Sequence, residues 1–250
     1  MTTTPEILTA STDPPSDKGF AALQPLLARL TGDEKHSPSA HSTLDVLWVL
    51  YDRVLQVTPE SRDDPDRDRF LLSKGHGPAA YYAVLAAKGF IPEVWLDDLA
   101  GPESRLGHHP DRLLVPGVEI GSGSLGHGLG LGVGIALGLR AQGLTGHPRP
   151  PRGRHQPRVY VLLGDAELDE GSNHEAIAYA GAVGLDSLTA IVIDNQSATH
   201  GWAPDIQSRF TVNGWSGVTV DGRDHDAIEA GLARRNSGQP HVMVARVEPK

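Results

Sequence analysis

The segment 159–201 limits what this chain can fold into more than any other stretch. It opens with the apolar run Val159-Tyr160-Val161-Leu162-Leu163, which ends on Gly164-Asp165-Ala166-Glu167. A helical pattern follows over 169–184, and a second apolar run, Leu188 to Ile193, stops on Asp194-Asn195. Two short buried-type strands joined by one helix predict a βαβ unit. In open α/β sheets, ligands gather at the carboxyl ends of the strands. Strand-end Asp and Asn also cap helices, so neither residue signifies much alone. At two strand ends of one unit, Asp165 and Asn195 predict a shared divalent cation held by hard oxygens, Mg²⁺ or Ca²⁺ and not zinc. Mg²⁺ takes few protein ligands and fills its shell with water and phosphate oxygens, so the implied ligand is a diphosphate.

The rest of the chain continues the alternation. Residues 1–18, rich in Thr, Ser, Pro and Asp, predict a disordered tail, and 19–250 a single α/β domain. Phe20, Leu23, Leu26, Leu27 and Leu30 mark a first helix, and Thr43 to Val57 a second, with a polar loop over 36–41 between them. The run Phe70-Leu71-Leu72 leads to Ser73-Lys74-Gly75-His76-Gly77, a helix is expected from Pro78 to Lys88, and Pro92 fits the first turn of another. A glycine- and leucine-rich helix follows Gly121-Ser122-Gly123-Ser124-Leu125-Gly126 and ends near Gly143, and the arginine-rich stretch 145–158 reads as an exposed loop. Strands over Gly217–Val220 and Val242–Val247 flank a helix over Asp226–Ala233. The pattern predicts a parallel central sheet with helices on both faces.

Composition excludes several classes. The formal charge of −9 argues against nucleic-acid binding. The absence of cysteine removes disulfides and thiolate metal sites. No apolar run reaches membrane-spanning length and no signal peptide is visible, so the expected location is cytoplasmic. The Gly121-x-Gly-x-x-Gly126 match to a dinucleotide fingerprint fails, because that motif needs an acidic residue about 20 positions on. From Ile120 to Gly164 there is no Asp or Glu. A glycine-lined helix start remains a place where backbone meets a ligand.

Gly164-Asp165-Ala166, then 27 residues, then Asp194-Asn195 resembles the thiamine-diphosphate motif, usually GDG, a similar spacer and NN. Ser73-Lys74-Gly75-His76-Gly77, Leu106 to Arg112, Gly123-Ser124-Leu125-Gly126 and Glu170-Gly171-Ser172-Asn173-His174-Glu175 fall in transketolase order, from about His36 to Val247. The chain thus resembles the N-terminal, diphosphate-binding subunit of a split transketolase. That resemblance implies thiamine diphosphate and Mg²⁺ as cofactors. It assigns the metal to Asp165, the Asn195 side chain and the backbone carbonyl of Ser197. It places Gly123, Ser124, Leu125, Gly164, Ala166 and Glu167 along the cofactor. His36, His76 and His109 match histidines that contact the cofactor or move protons on the substrate, a task suited to imidazole. Glu170 matches a carboxylate that couples two active sites across a dimer.

Four departures accompany the match. Ala166 replaces the second glycine of GDG, Pro38-Ser39 replaces Gly-Gly after His36, and Ile193 replaces a frequent acidic residue. The matched order also stops at Val247, before the family's Gly-Lys-Gly continuation. The resemblance implies transfer of a two-carbon ketol unit from a ketose or related donor to an aldose or a carrier-bound acceptor. It also implies a separate C-terminal subunit that grips the pyrimidine ring, in an α2β2 assembly. The alternatives are a cofactor-binding subunit without chemistry and an α-type subunit of a 2-oxo acid dehydrogenase. Ser-Lys-Gly-His argues against the last.

Overall fold

A computed structural model describes residues 19–30, 37–75, 77–146, 155–201 and 203–249. Five strands form a sheet: β1 (Arg69–Leu72), β2 (Val159–Gly164), β3 (Leu188–Asp194), β4 (Ser216–Asp221) and β5 (His241–Arg246). All pair in parallel, in the order β1-β2-β3-β5-β4. Parallel pairing needs a crossover between strands, and the helices supply it. They are α1 (Leu23–Arg29), α2 (Ser37–Val49), α3 (Ala79–Ala87), α4 (His127–Ala141), α5 (Gly171–Ala182), α6 (Ile206–Thr211) and α7 (His225–Ala233).

Strand side chains alternate between the two faces, and each face has its own core. Tyr160 and Leu162 of β2 join Ile191, Ile193 and Met243 against α1, α2, α3 and α7. Val159, Val161 and Leu163 join Val192 and Val244 against α4, α5 and α6. Every residue of β2 is buried, and β3 is buried as far as Ile193. This explains why both strands read as unbroken apolar runs and not as alternating ones. The expected architecture, a parallel sheet covered on both faces, is therefore the observed one.

Local differences have local causes. The loop expected over 36–41 is helical from Ser37 onward, with Pro38 in the first turn, where its missing N–H is no loss. The second helix then ends earlier than Val57. A π-helical turn, Leu50–Val54, closes it with Leu55 N–H donating to Leu50 O at 2.8 Å. Pro92 precedes the 3₁₀ turn Glu93–Asp97 as its N-cap in extended conformation and is not within it. Helix α6 had no signal beyond Ile206 and Phe210, and the Asp205 carboxylate caps it by accepting from Ser208 N at 2.7 Å. The predicted tail and most of the arginine-rich loop lie outside the described residues.

Candidate active site

The register of the sheet brings three strand ends to one edge. Leu72 pairs with Leu162, and Gly164 with Ile193. The residues that follow, Ser73-Lys74, Asp165 and Asn195, therefore emerge side by side. Asp165 N–H continues the ladder by donating to Ile193 O at 3.0 Å.

The Asp165 carboxylate is buried and accepts four hydrogen bonds. Oδ1 accepts from Ala166 N–H at 2.8 Å and from the Ser197 hydroxyl at 2.5 Å. Oδ2 accepts from the Ser197 and Ala198 amides at 2.7 and 3.2 Å. Three of these donors are backbone and fixed. The Ser197 hydroxyl is a rotor, so it can yield a lone pair without moving the chain. Asn195 is also buried, and its Oδ1 has no hydrogen-bond partner among the described residues. A buried acceptor left alone costs about 1–3 kcal/mol, and that cost disappears if a cation or donor fills the position. A cleft of about 280 Å³ beside Asp165 is lined by Asp194, Gln196, Asp205 and Arg246 among others.

The glycine-rich turn packs against the chain that follows β1. Gly123 has φ +136, a conformation side chains rarely adopt, and a Cβ there would lie 2.8 Å from His109 Cγ. His109 is itself held to the β1 end, with Nδ1 3.0 Å from Gly75 O. A Cβ on Gly75 would approach Gly123 N to 2.5 Å, so neither glycine has room for a side chain. Ser124 is exposed and Leu125 half-buried on the turn into α4. At the helix start Gly126 has φ +83, and Ser172 Oγ donates to its carbonyl at 2.8 Å.

The two glutamates after Asp165 behave differently. Glu170, exposed, caps α5 with extended backbone, and its Cβ lies under Gly126. Glu167 is buried, and its carboxylate faces inward. It accepts from Ser73 Oγ, from Gly126 N–H at 2.9 Å and from Gly164 N–H at 3.4 Å. Burial pushes its carboxyl above the usual range, while those hydrogen bonds pull the other way. Two neighbours escaped the sequence reading of roles. Lys74 lies against Gly164, whose Cβ would be 3.5 Å from its stem, and its ammonium donates to Ser42 Oγ at 2.9 Å. Ser73 ties β1 to α4 by accepting Gly128 N–H at 3.0 Å. Their signal was present, a polar pair directly after a strand, but only a cross-strand register shows what it faces.

Of the sequence-derived candidates, the structure gathers His109, Gly123, Ser124, Leu125, Gly164, Asp165, Ala166, Glu167, Glu170, Asn195 and Ser197 at this edge. His36 and His76 lie outside the described residues. Among the described residues no cluster of three or more His, Cys, Asp or Glu could hold a metal. A cation here would have the Asp165 carboxylate and the Asn195 amide oxygen as its side-chain donors, hard oxygens that suit Mg²⁺ with phosphate.

Residues 31–247 match the family model described as "Transketolase, thiamine diphosphate binding domain". The chain belongs to the transketolase family. Thiamine diphosphate with a divalent metal, typically Mg²⁺, is that family's cofactor, and the orphaned Asn195 oxygen and the side-chain-free glycine wall fit such a group. The chain is 52% identical over 233 residues to a Rhodococcoides fascians protein named "Ferredoxin fas2", covering 93% of this chain and 73% of that one. Without cysteine, this transketolase-family chain cannot build the thiolate iron–sulfur centre of a ferredoxin. It is 35% identical over 217 residues to an Actinobacillus succinogenes protein named as one subunit of an apulose-4-phosphate transketolase, covering 84% and 75% of the two chains. Among solved structures, a transketolase variant from Pichia stipitis superposes with a TM-score of 0.74 at 26% identity. There the match takes in 92% of this chain but 36% of the solved one. No described helix is long and apolar enough to cross a membrane.

Proposed function

We propose that this chain is the cofactor-holding N-terminal subunit of a split transketolase, working only with a separate C-terminal subunit. The reaction is transfer of a two-carbon ketol unit from a ketose, or a related donor, to an aldose or carrier-bound acceptor. The observation that carries this reading is the placing, at two adjacent strand ends, of the buried Asp165 carboxylate and an Asn195 oxygen without a partner among the described residues. In the proposal, Asp165, Asn195 and the Ser197 carbonyl hold Mg²⁺ on the diphosphate, and Gly123 to Leu125 and Gly164 line the cofactor. When bound, the cofactor supplies the carbon nucleophile and electron sink for cleaving the ketose. In the same proposal His109, whose Nδ1 lies 3.0 Å from Gly75 O, holds or moves a proton at the substrate. Glu170, exposed at the rim, is the carboxylate suited to meet a second active site across an assembly.

The need for a partner is supported by relatives: the Actinobacillus succinogenes protein, matched over 75% of its own length, is named as a subunit. We place the assembly as α2β2 in the cytoplasm. The test is titration with thiamine diphosphate and Mg²⁺, alone and with a transketolase C-terminal subunit, followed by ketose turnover with an aldose acceptor. Turnover by the pair and none by the chain alone is expected. Cofactor binding by the pair without two-carbon transfer from any ketose donor would overturn the proposal in favour of a cofactor-binding subunit without chemistry.

A further inference from the structure

We infer that Glu167 is a positioning residue: its buried carboxyl joins the three segments that wall the cofactor site and holds them in register without touching the cofactor. The inference rests on the proposed cofactor site for its consequence, but its geometry stands by itself.

Each hydrogen bond of Glu167 reaches a different element. Oε2 accepts from Gly164 N–H, at the end of β2. Oε1 accepts from Ser73 Oγ, at the end of β1, and from Gly126 N–H, at the start of α4. Ser73 Oγ, having given its proton to Glu167, accepts Gly128 N–H at 3.0 Å and so ties the first turn of α4 a second time. Asn173, fully buried on α5, donates from Nδ2 to Glu167 O at 2.7 Å and fixes the residue's own backbone. One residue thus collects donors separated by 94 and 41 positions in the chain.

This arrangement answers a difficulty in the glycine-rich turn. Gly123 and Gly126 have positive φ and lack side chains to anchor them. The N–H groups that open α4 need acceptors from outside the helix. Gly126 takes the Glu167 carboxylate and Gly128 the Ser73 hydroxyl, and the turn carrying Gly123, Ser124 and Leu125 is pinned just ahead of them. Residue 167 also lies within three residues of Gly164, so the same carboxyl tracks the strand end that delivers Asp165. Glu167 is 1% exposed, which leaves it no route to a ligand in the cleft.

The test uses the full chain and Glu167→Gln, Glu167→Ala and Ser73→Ala variants. Backbone hydrogen exchange at Gly126 and Gly128 is measured without cofactor, and Mg²⁺–thiamine diphosphate affinity by calorimetry. Glu167→Ala is expected to speed exchange at both glycines and Ser73→Ala at Gly128, each weakening cofactor binding about tenfold or more. Glu167→Gln keeps Oε1 as acceptor for Ser73 Oγ and Gly126 N–H but turns an Nε2 donor toward Gly164 N–H, and is expected to restore protection at both glycines and part of the affinity. Unchanged exchange in a folded Glu167→Ala chain overturns the inference. So does a Gln variant as impaired as Ala, which would mean that charge and not acceptor geometry matters. If the parent chain shows the exchange pattern yet binds no cofactor with its partner, the proposed function fails and the hub stands.

Discussion

The backbone amide of Ser197 donates to Asp165 Oδ2 at 2.7 Å, tying the loop after β3 to the end of β2. Asn195 sits two residues before the donor, so this bond fixes the spacing between the two side chains assigned to the metal. Asp165 therefore serves the fold as well as the proposed metal, whereas the Asn195 oxygen has no partner among the described residues.

That contrast predicts a split between stability and binding. Asp165→Ala strands the amides of Ala166, Ser197 and Ala198, and is expected to cost about 3 kcal/mol or more along with metal-dependent cofactor binding. Asn195→Ala removes an unsatisfied acceptor. It is expected to cost no more than about 1 kcal/mol while abolishing the same binding. Urea unfolding and calorimetric titration of both variants check this. A large loss of stability in Asn195→Ala would show that the residue holds protein together.

Two glycine substitutions of the same chemistry should move in opposite directions. Gly123→Ala forces a methyl into the His109 ring at a φ of +136 and is expected to lose about 1–3 kcal/mol and most of the cofactor affinity. Gly130→Ala, the fourth residue of α4, with nothing within 4 Å of its Cβ, is expected to gain about 0.5–1 kcal/mol in the isolated chain. Thermal unfolding of the two variants separates conformational strain from helix propensity.

The difference between those glycines marks what the sequence could disclose. The fold was legible because β2 and β3 are buried on both faces and so read as unbroken apolar runs, each ending on a polar residue. The pair Asp165 and Asn195 was legible for the same reason. The inward turn of Glu167 was not: in sequence it adjoins the cofactor motif, and only the register of β1 against β2 brings Ser73 to its carboxyl. Helix α6 was too short for periodicity to show. The start of α2 was hidden by the Ser and Pro of 37–39, which read as loop, although Pro belongs naturally in a first helical turn.

His241, on β5, provides a pH dependence remote from the site. Its ring is 2% exposed, between Gly231 O at 3.1 Å and Ser216 Oγ at 2.9 Å. Burial first, then nearby arginines, bring its pKa down to about 4, from an ordinary value of 6.5. The folded chain thus binds this proton less readily than the unfolded chain does. Full stability is present above pH 6.5 and is lost as pH falls toward 4, by a few kcal/mol from this group. His241→Gln is expected to flatten that part of the profile. Urea midpoints of parent and variant at pH 7 and 4.5 check it, and parallel losses would exclude His241 as the source.

Ala166 presents the opposite question, whether a departure from the family's glycine matters. It begins the 3₁₀ turn Ala166–Asp169, and the non-glycine residues with positive φ among those described are Ala100 and Gln196. Ala166 is therefore unstrained, and its amide already serves Asp165 Oδ1. Glycine would recover no forbidden conformation and would add freedom to the unfolded chain. Ala166→Gly is expected to lower stability by about 0.5–1 kcal/mol and to leave cofactor affinity within about twofold. Urea unfolding and Mg²⁺–thiamine diphosphate titration read the two effects separately. Affinity tightened about tenfold would show instead that the methyl crowds the diphosphate, making the replacement a handicap that the rest of the site tolerates.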